Sequence, residues 1–358
     1  APTLHRGPGG DGGRGAAVGE PDAERQDGRP ILGSNAFAVG GAETGTGSAL
    51  VANDMHLELH LPNTWYHAAL AWTAANGTIW RLNGATLPGS PMLTVGSNGK
   101  VAWAFTASAL DTSDVVELET SPAHPGAYRS AGQWKAFGRR REVIRVRGRR
   151  DVSLDVPTTE WGPLLSDTNR PRAVAIKWVM HAPEAANLHS LAFETAESAH
   201  DLLAEAPHAG LPFVNVITGD HRGNIGWTVA GLFPKRVGFD GRLPGSWADG
   251  ARRWEGWIPA SDYPRVENPP GGRLWSGNQR MSGDARYAAL GRGTMVDLGA
   301  RSRQIRDDLE KVRAMTAPEG LAVQLDDRAI LLGRWQALLM DVLRNSATTN
   351  RVLRDQWL

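Results

Sequence analysis

A Gly33-Ser34 pair stands where the chain changes from Gly-rich, charged sequence to apolar sequence, in "PILGSNAFAVG". A serine hydroxyl becomes a good nucleophile only when a base takes its proton. The sequence contains no G-x-S-x-G elbow, no phosphate-binding loop and no H-E-x-x-H motif, so the common hydrolase signatures are absent. One base remains available in principle, the α-amine of Ser34 itself, because an unperturbed α-amine has a pKa of about 7.7–8.0.

This amine exists only if the peptide bond before Ser34 is cut. Glycine at position 33 suits such a cut, since it tolerates the strained backbone that a self-cleaving N-to-O acyl shift requires. The alternative is that Gly-Ser-Asn forms an ordinary turn ahead of a strand. Gly33 and Ser34 are therefore a candidate autocleavage site, with Ser34 as the candidate nucleophile.

A second group of chemically capable side chains alternates in "DMHLELH". His56, Glu58 and His60 would share one face of a strand. Two histidines and a carboxylate can bind zinc. A solvent-facing polar edge opposite Leu57 and Leu59 explains the same alternation without a metal.

Composition sets the class of protein. The chain has 358 residues, is 41% hydrophobic and 22% charged, and carries a net charge of +1, which predicts a globular domain and no nucleic-acid partner. No apolar run is long enough for a membrane span. The absence of cysteine excludes disulfides and thiolate ligands. The first residues are rich in Gly and poor in apolar side chains, so we expect 1–33 to be a spacer and 34–358 to be one domain.

The elements that must position these residues follow a consistent order. Short strand-like runs separated by Gly, Asn and Pro begin at Ser34, and Asn76-Gly77 and Asn98-Gly99 are typical hairpin turns. Strands followed by helices favour an α+β layered domain. The predicted hairpin is "REVIRVRGRRDVSLDV", and the predicted helices are "AESAHDLLAEA", "SRQIRDDLEKVRAM" and "LDDRAILLGRWQALLMDVLRNS".

Five motifs in order resemble the penicillin acylase family of N-terminal-nucleophile hydrolases, from about Gly33 to about Leu343. They are "GSNAFAV", "LVANDMHLEL", "GSNGKVAWAFTAS", "HRGNIGWTVAGLFPKR" and "WEGWIPASDYPRVENPPGGRLWSGNQR". The resemblance implies a four-layer αββα fold with the Ser34 strand at the centre of one sheet and late helices as an outer layer. It also implies hydrolysis of the side-chain amide of an N-acyl compound, of the β-lactam or acyl-homoserine-lactone type.

The resemblance further implies roles for particular residues. Ser34 is the expected nucleophile, and His56 is expected to contact the nucleophile region. The side chain of Asn278 and the backbone N–H of Ala107 are the expected oxyanion donors. An arginine is expected to support Asn278, and either Arg301 or Arg303 could fill that place.

Two further sets are weaker expectations of the resemblance. Asp111, Ser113 and Asp114 lie where calcium-binding members have ligands, and their spacing permits a structural calcium ion, although a turn capped by aspartates is the alternative. The aromatic candidates for substrate-pocket walls are Trp65, Trp72 and Trp103, for which core packing is the alternative.

The resemblance is to the larger chain of a heterodimer, preceded by its spacer and incomplete at its C-terminus. It implies a smaller partner chain cut from the same precursor and a periplasmic or secreted location. One departure is "NDMH" in place of Asn-Asp-Pro-His, since Met55 frees a backbone dihedral that proline would restrict. Two other functions stay open at this point: a catalytically inactive homologue acting in binding, and a secreted metal-binding β-rich module.

Overall fold

The computed structural model describes residues 33–57, 61–165, 173–211, 213–291, 293 and 296–345. The chain divides into two units, Ala1–Leu32 and Gly33–Leu358, and every described residue belongs to the second. The predicted spacer therefore lies outside the described residues, apart from Gly33, and stays a prediction.

The described residues form strands along most of the chain and α-helices mainly near its end. The strands are β1 (Gly33–Val39), β2 (Leu50–His56), β3 (Tyr66–Thr73), β4 (Ile79–Thr86), β5 (Val95–Ser97), β6 (Val101–Ala107), β7 (Ser113–Glu117), β8 (Ala127–Ser130), β9 (Gln133–Ala136), β10 (Gly138–Ile144), β11 (Val152–Thr159), β12 (Gly162–Leu165), β13 (Val174–Trp178), β14 (Val214–Asp220), β15 (Ile225–Ala230), β16 (Pro234–Val237), β17 (Gly245–Ser246), β18 (Arg253–Trp257), β19 (Val266–Glu267) and β20 (Arg273–Ser276). The helices are α1 (Ala199–Glu205), α2 (Ala285–Ala289), α3 (Ala300–Leu309), α4 (Ala317–Gln324) and α5 (Ile330–Asn345).

These strands form five sheets, of which two are the two-stranded pairs β8-β9 and β16-β18. A three-stranded sheet has the order β2-β1-β20, a seven-stranded sheet the order β19-β15-β14-β6-β5-β4-β3, and a six-stranded sheet the order β10-β11-β12-β13-β7-β17. The strand that carries Ser34 is thus central in its sheet, as expected. β1 pairs antiparallel with both neighbours, with Ser34 opposite Met55 and Ala36 opposite Ser276.

Strand β1 is buried on both faces, which explains its continuous apolar run. Ala36 and Ala38 pack in a cluster with residues of β6, β14 and β15, between the three- and seven-stranded sheets. Phe37 and Val39 pack on the opposite side, with residues of α3 and α4. Alternation along one strand therefore joins a second sheet on one face to a helical layer on the other.

The seven-stranded sheet is covered on its far face in the same way. Trp103 and Phe105 of β6 pack there with Leu202 of α1. The order of layers is therefore α3 and α4, the three-stranded sheet, the seven-stranded sheet, and α1. This confirms the α+β class and the four-layer arrangement.

The local predictions hold where the chain carries clear turn signals. Asn76-Gly77 and Asn98-Gly99 connect β3 to β4 and β5 to β6, with positive φ at both glycines. The predicted basic hairpin forms β10 and β11. Helix α4 was not predicted, although Thr316 and Glu319 form a capping box at its start.

The last helix departs from the expected outer layer. α5 forms where its pattern predicts, but its apolar side chains are exposed; Trp335, for example, is 62% exposed. A helix has to bury its apolar stripe against another element before it can form part of a layer. No helix in the described part of the chain is long and apolar enough to cross a bilayer.

The tryptophans proposed as pocket walls occupy three different environments. Trp103 is 2% exposed and donates from Nε1 to the Leu93 carbonyl at 3.3 Å. Trp72 is half-buried and stacks on Trp80 with ring centroids 6.5 Å apart, and Trp65 is half-buried ahead of β3. The pocket-wall prediction is wrong for Trp103, because a side chain enclosed in the core has no surface left for a ligand.

Candidate active site

One asparagine side chain holds both polar groups of Ser34. The N–H of Ser34 donates to Oδ1 of Asn278 at 2.7 Å, and Nδ2 of Asn278 lies 3.1 Å from Ser34 Oγ. The same Nδ2 donates to the carbonyl of Ala107 at 3.0 Å. Ser34 and Asn278 are only 6% and 8% exposed, so these hydrogen bonds are largely shielded from water.

The sheet register explains how residues 244 positions apart meet. Ser276 pairs with Ala36, so Asn278, two residues beyond, comes level with Ser34. Asn278 has a φ of 65°, a left-handed conformation that asparagine tolerates better than most residues. Its side chain forms hydrogen bonds across to β1 and β6.

Ala107 ends β6 beside Ser34. In an antiparallel strand the N–H and the carbonyl of one residue point to the same side. The Ala107 carbonyl accepts from Asn278, so strand geometry puts the Ala107 N–H on the same edge of β6 as that carbonyl. The two expected oxyanion donors thus lie on the same side of β6.

Arg301 of α3 joins the cluster, and Arg303 does not. Nη1 of Arg301 donates to the carbonyl of Ser34 at 3.1 Å and to Oδ1 of Asn35 at 2.7 Å. Its Nη2 donates to Oδ1 of Asn278 at 3.0 Å and to Asp297 at 2.9 Å. The side chain of Arg303 is 76% exposed. Of the two candidates, only Arg301 can therefore act on Ser34 and Asn278.

His56 lies beside the Gly33 side of the site and makes no direct contact with the Ser34 side chain. Its Nε2 is 2.9 Å from Oδ2 of Asp54 and 3.2 Å from Nδ2 of Asn35. Gly33 pairs with His56 across β1 and β2, and a Cβ at position 33 would lie 3.0 Å from Nδ1 of His56. His56 therefore lies in the nucleophile region, where it contacts Asn35, and its role there stays a prediction.

Four polar residues of this cluster were not singled out from sequence. Asn35 and Asp54 are hydrogen-bonded at 2.8 Å, and Asp297 holds Arg301. Asn53 donates to the carbonyl of Asn35 at 2.6 Å and accepts from the N–H of Phe105 at 3.0 Å, so it ties the two inner sheets together. The signals were the neighbouring "SN" and "ND" pairs and the i,i+4 spacing from Asp297 to Arg301.

The expected calcium ligands instead surround an arginine. Oδ2 of Asp114 accepts from Nε of Arg236 at 2.9 Å and from Nε1 of Trp254 at 2.6 Å. Nη2 of Arg236 reaches the carbonyl of Asp111 at 3.1 Å, while Asp111 Oδ1 accepts from the N–H of Ser113. A guanidinium already supplies the positive charge between these carboxylates, so this set does not fit a calcium site.

Burial also acts on this ion pair. Desolvation raises the pKa of Asp114 above its ordinary value, and the nearby Arg236 opposes that rise. The side chains of Asp114 and Arg236 are only 3% and 6% exposed.

Of the three alternating residues considered as zinc ligands, the structure describes only His56. Glu58 and His60 lie outside the described residues, so the zinc alternative stays untested.

Replacing Asp114 by alanine is expected to destabilise the protein by about 3–5 kcal/mol, because it removes the nearer and more buried carboxylate partner of the Arg236 charge. Urea unfolding would measure this loss, with D240A at an exposed aspartate as the control. The double variant D114A/R236M should recover much of the loss. Chelation should leave Tm unchanged, and a Tm lowered by chelator and restored by calcium would contradict the arginine assignment.

Comparison with known proteins places this chain in a family. The sequence profile of the penicillin amidase family matches residues 6–357. The chain belongs to the penicillin amidase family. Its fold is similar to that of a thermostable penicillin G acylase from Alcaligenes faecalis, with a TM-score of 0.73. The match covers 88% of this chain and 56% of that one, at 21% sequence identity.

Two relatives with different named substrates align with about 70% of this chain. A penicillin acylase 2 proenzyme from Pseudomonas sp. (strain SE83) is 31% identical over 255 residues, 70% of this chain and 32% of the relative. An acyl-homoserine lactone acylase QuiP from Pseudomonas fluorescens (strain Pf0-1) is 29% identical over 257 residues, 69% of this chain and 30% of the relative. Aligned this way, the chain spans about a third of the length of these curated relatives.

Proposed function

We propose that this chain is part of an autoprocessed acylase that hydrolyses the side-chain amide of an N-acyl compound, with Ser34 as its N-terminal nucleophile. The observation that carries the proposal is a pair of hydrogen bonds between Asn278 and Ser34: the Ser34 N–H donates to Asn278 Oδ1, and Asn278 Nδ2 donates to Ser34 Oγ. Acyl transfer needs a nucleophile, a base and an oxyanion donor. The Asn278 side chain contacts both the hydroxyl that would be the nucleophile and the nitrogen that would become the base.

In the uncut chain the nitrogen of Ser34 is a peptide nitrogen, which has no basic lone pair. Cleavage would begin with attack of Ser34 Oγ on the carbonyl carbon of Gly33. A C–O ester bond then replaces the C–N bond, and the nitrogen gains the proton that the hydroxyl loses. Water then hydrolyses the ester, leaving a Gly33 carboxylate and a free Ser34 amine. A Cβ at position 33 would lie 3.1 Å from Nη2 of Arg301, which places the guanidinium beside this bond.

In turnover, the freed amine would take the Ser34 hydroxyl proton, through a bridging water, as Oγ attacks the substrate carbonyl carbon. The proton passes to the leaving amine, an acyl-enzyme ester remains, and water releases the acid. Asn278 Oδ1 accepts from the Ser34 nitrogen, and Asn278 Nδ2 and the Ala107 N–H would donate to the oxyanion. Arg301 bonds to Asn278 Oδ1 and so orients the amide.

The names of the relatives suggest two substrate classes. One relative is named for penicillin and another for acyl-homoserine lactones, and we propose that this protein acts on an N-acyl substrate of one of these types. We also propose a smaller partner chain from the same precursor and a periplasmic or secreted location. The alignment over about a third of the relatives' length supports a role as one portion of a larger precursor.

Expression of the full-length precursor tests the proposal. We expect a larger chain whose N-terminal sequence begins Ser-Asn-Ala-Phe, and stoichiometric labelling of Ser34 by a serine-reactive phosphonate. A panel of N-acyl β-lactams and acyl-homoserine lactones would then assign the substrate. An uncut chain that resists the phosphonate would support the inactive-homologue alternative instead.

A further inference from the structure

A basic hairpin forms one edge of the six-stranded sheet, which is a different sheet from the one that contains Ser34. Strands β10 and β11 pair from Gly138 opposite Thr158 to Ile144 opposite Val152. The next strand, β12, pairs only with Thr158 and Thr159 at the base of the hairpin. Among the residues that the structure describes, the rest of the hairpin has no further strand to pair with.

Near the tip one face of this hairpin is apolar and exposed, whereas toward the base the same face is charged, with Glu142 opposite Leu154. Ile144 lies opposite Val152, and Leu154 lies two residues further along β11, so the three side chains share one face. They are 53%, 52% and 51% exposed. An isolated two-stranded hairpin gains little from its own pairing, so an uncovered apolar face is a feature that calls for a partner.

The tip of the hairpin carries unpaired positive charge. The turn "RVRGRR" closes through the N–H of Arg149 and the carbonyl of Val146 at 3.1 Å, with Gly148 at a φ of 75°. Nearer the base, Arg140 and Arg141 form ion pairs with Glu142 and Asp155. Four arginines of the tip are exposed and have no ion pair among the described residues: Arg145, Arg147, Arg149 and Arg150.

We propose that this hairpin binds the surface of an anionic lipid bilayer, with the tip arginines on the headgroups and the face of Ile144, Val152 and Leu154 in the interface. A basic end beside an exposed apolar face is the combination that anionic membrane interfaces bind. A nucleic acid or another polyanion would use the charges and leave the apolar face uncovered. The chain as a whole carries only +1, so the charge at the tip is a local property.

Vesicle co-sedimentation of the full-length protein tests this inference. The protein should bind vesicles that contain phosphatidylglycerol and not vesicles of phosphatidylcholine alone. The tip variant R145Q/R147Q/R149Q/R150Q should lose on the order of 10–100-fold in partitioning, and molar salt should weaken binding of the wild type. A matched control removes four exposed arginines elsewhere, R81Q/R222Q/R242Q/R313Q, and should bind as the wild type does.

A second variant separates the bilayer from other anions. I144S/L154S keeps every charge, and we expect it to bind anionic vesicles more weakly while binding a soluble polyanion such as heparin unchanged. Vesicle binding that is undiminished in I144S/L154S would overturn the bilayer assignment. So would equal losses in the tip and control variants, or a full-length protein that fails to bind anionic vesicles. These readouts do not use acylase activity, so they are independent of the proposed function.

Discussion

Replacing Ser34 by alanine is expected to stop both chain cleavage and turnover. The variant lacks the oxygen that attacks Gly33 and the substrate, while the hydrogen bond from its N–H to Asn278 can persist. Loss of a nucleophile typically lowers kcat by a factor on the order of 10⁶. Intact mass of the expressed precursor reports cleavage, and release of amine from an N-acyl substrate reports turnover.

The matched control is S190A, which removes another buried serine hydroxyl. Ser190 is 2% exposed and its Oγ contacts the sulfur of Met92, far from Asn278 in the fold. S190A should be cut and should turn over substrate normally. A cut and active S34A protein would show that another residue is the nucleophile.

Replacing Asn278 by alanine is expected to lower kcat by about 10²–10³-fold, the usual effect of removing one oxyanion donor. KM should change little, because the donor acts on charge that develops only in the transition state. The variant also frees the carbonyl of Ala107 and the N–H of Ser34 from their side-chain partner. Single-turnover kinetics on processed protein would measure the chemical step directly.

The control for backbone strain is N268A. Asn268 also has a positive φ, 43°, and its Oδ1 accepts from the N–H of Ile225, outside the Ser34 cluster. Alanine is strained at both positions, so a loss of stability shared by the two variants reports the backbone. Equal losses of kcat in N278A and N268A would remove the oxyanion role from Asn278.

Local pattern was enough to predict several elements of this fold. The apolar run after Ser34 predicts a buried strand, and the Asn-Gly pairs predict the hairpins that the structure contains. The order of motifs also led to the correct family and to the Ser34 and Asn278 pair. These features are readable because turn chemistry and burial of one strand depend on residues close together in sequence.

The sequence by itself determined the candidate nucleophile, its strand and the layered α+β class, whereas the tertiary structure decided which distant side chains meet. Arg301 and Arg303 are separated by about 200° around a helix, so only packing of α3 shows which one faces Ser34. The sequence around Asp114 permits a calcium ligand, but in the structure Arg236, 122 residues away, forms an ion pair with it. Contacts of this kind depend on how separate elements pack together, so residue spacing within one element cannot predict them.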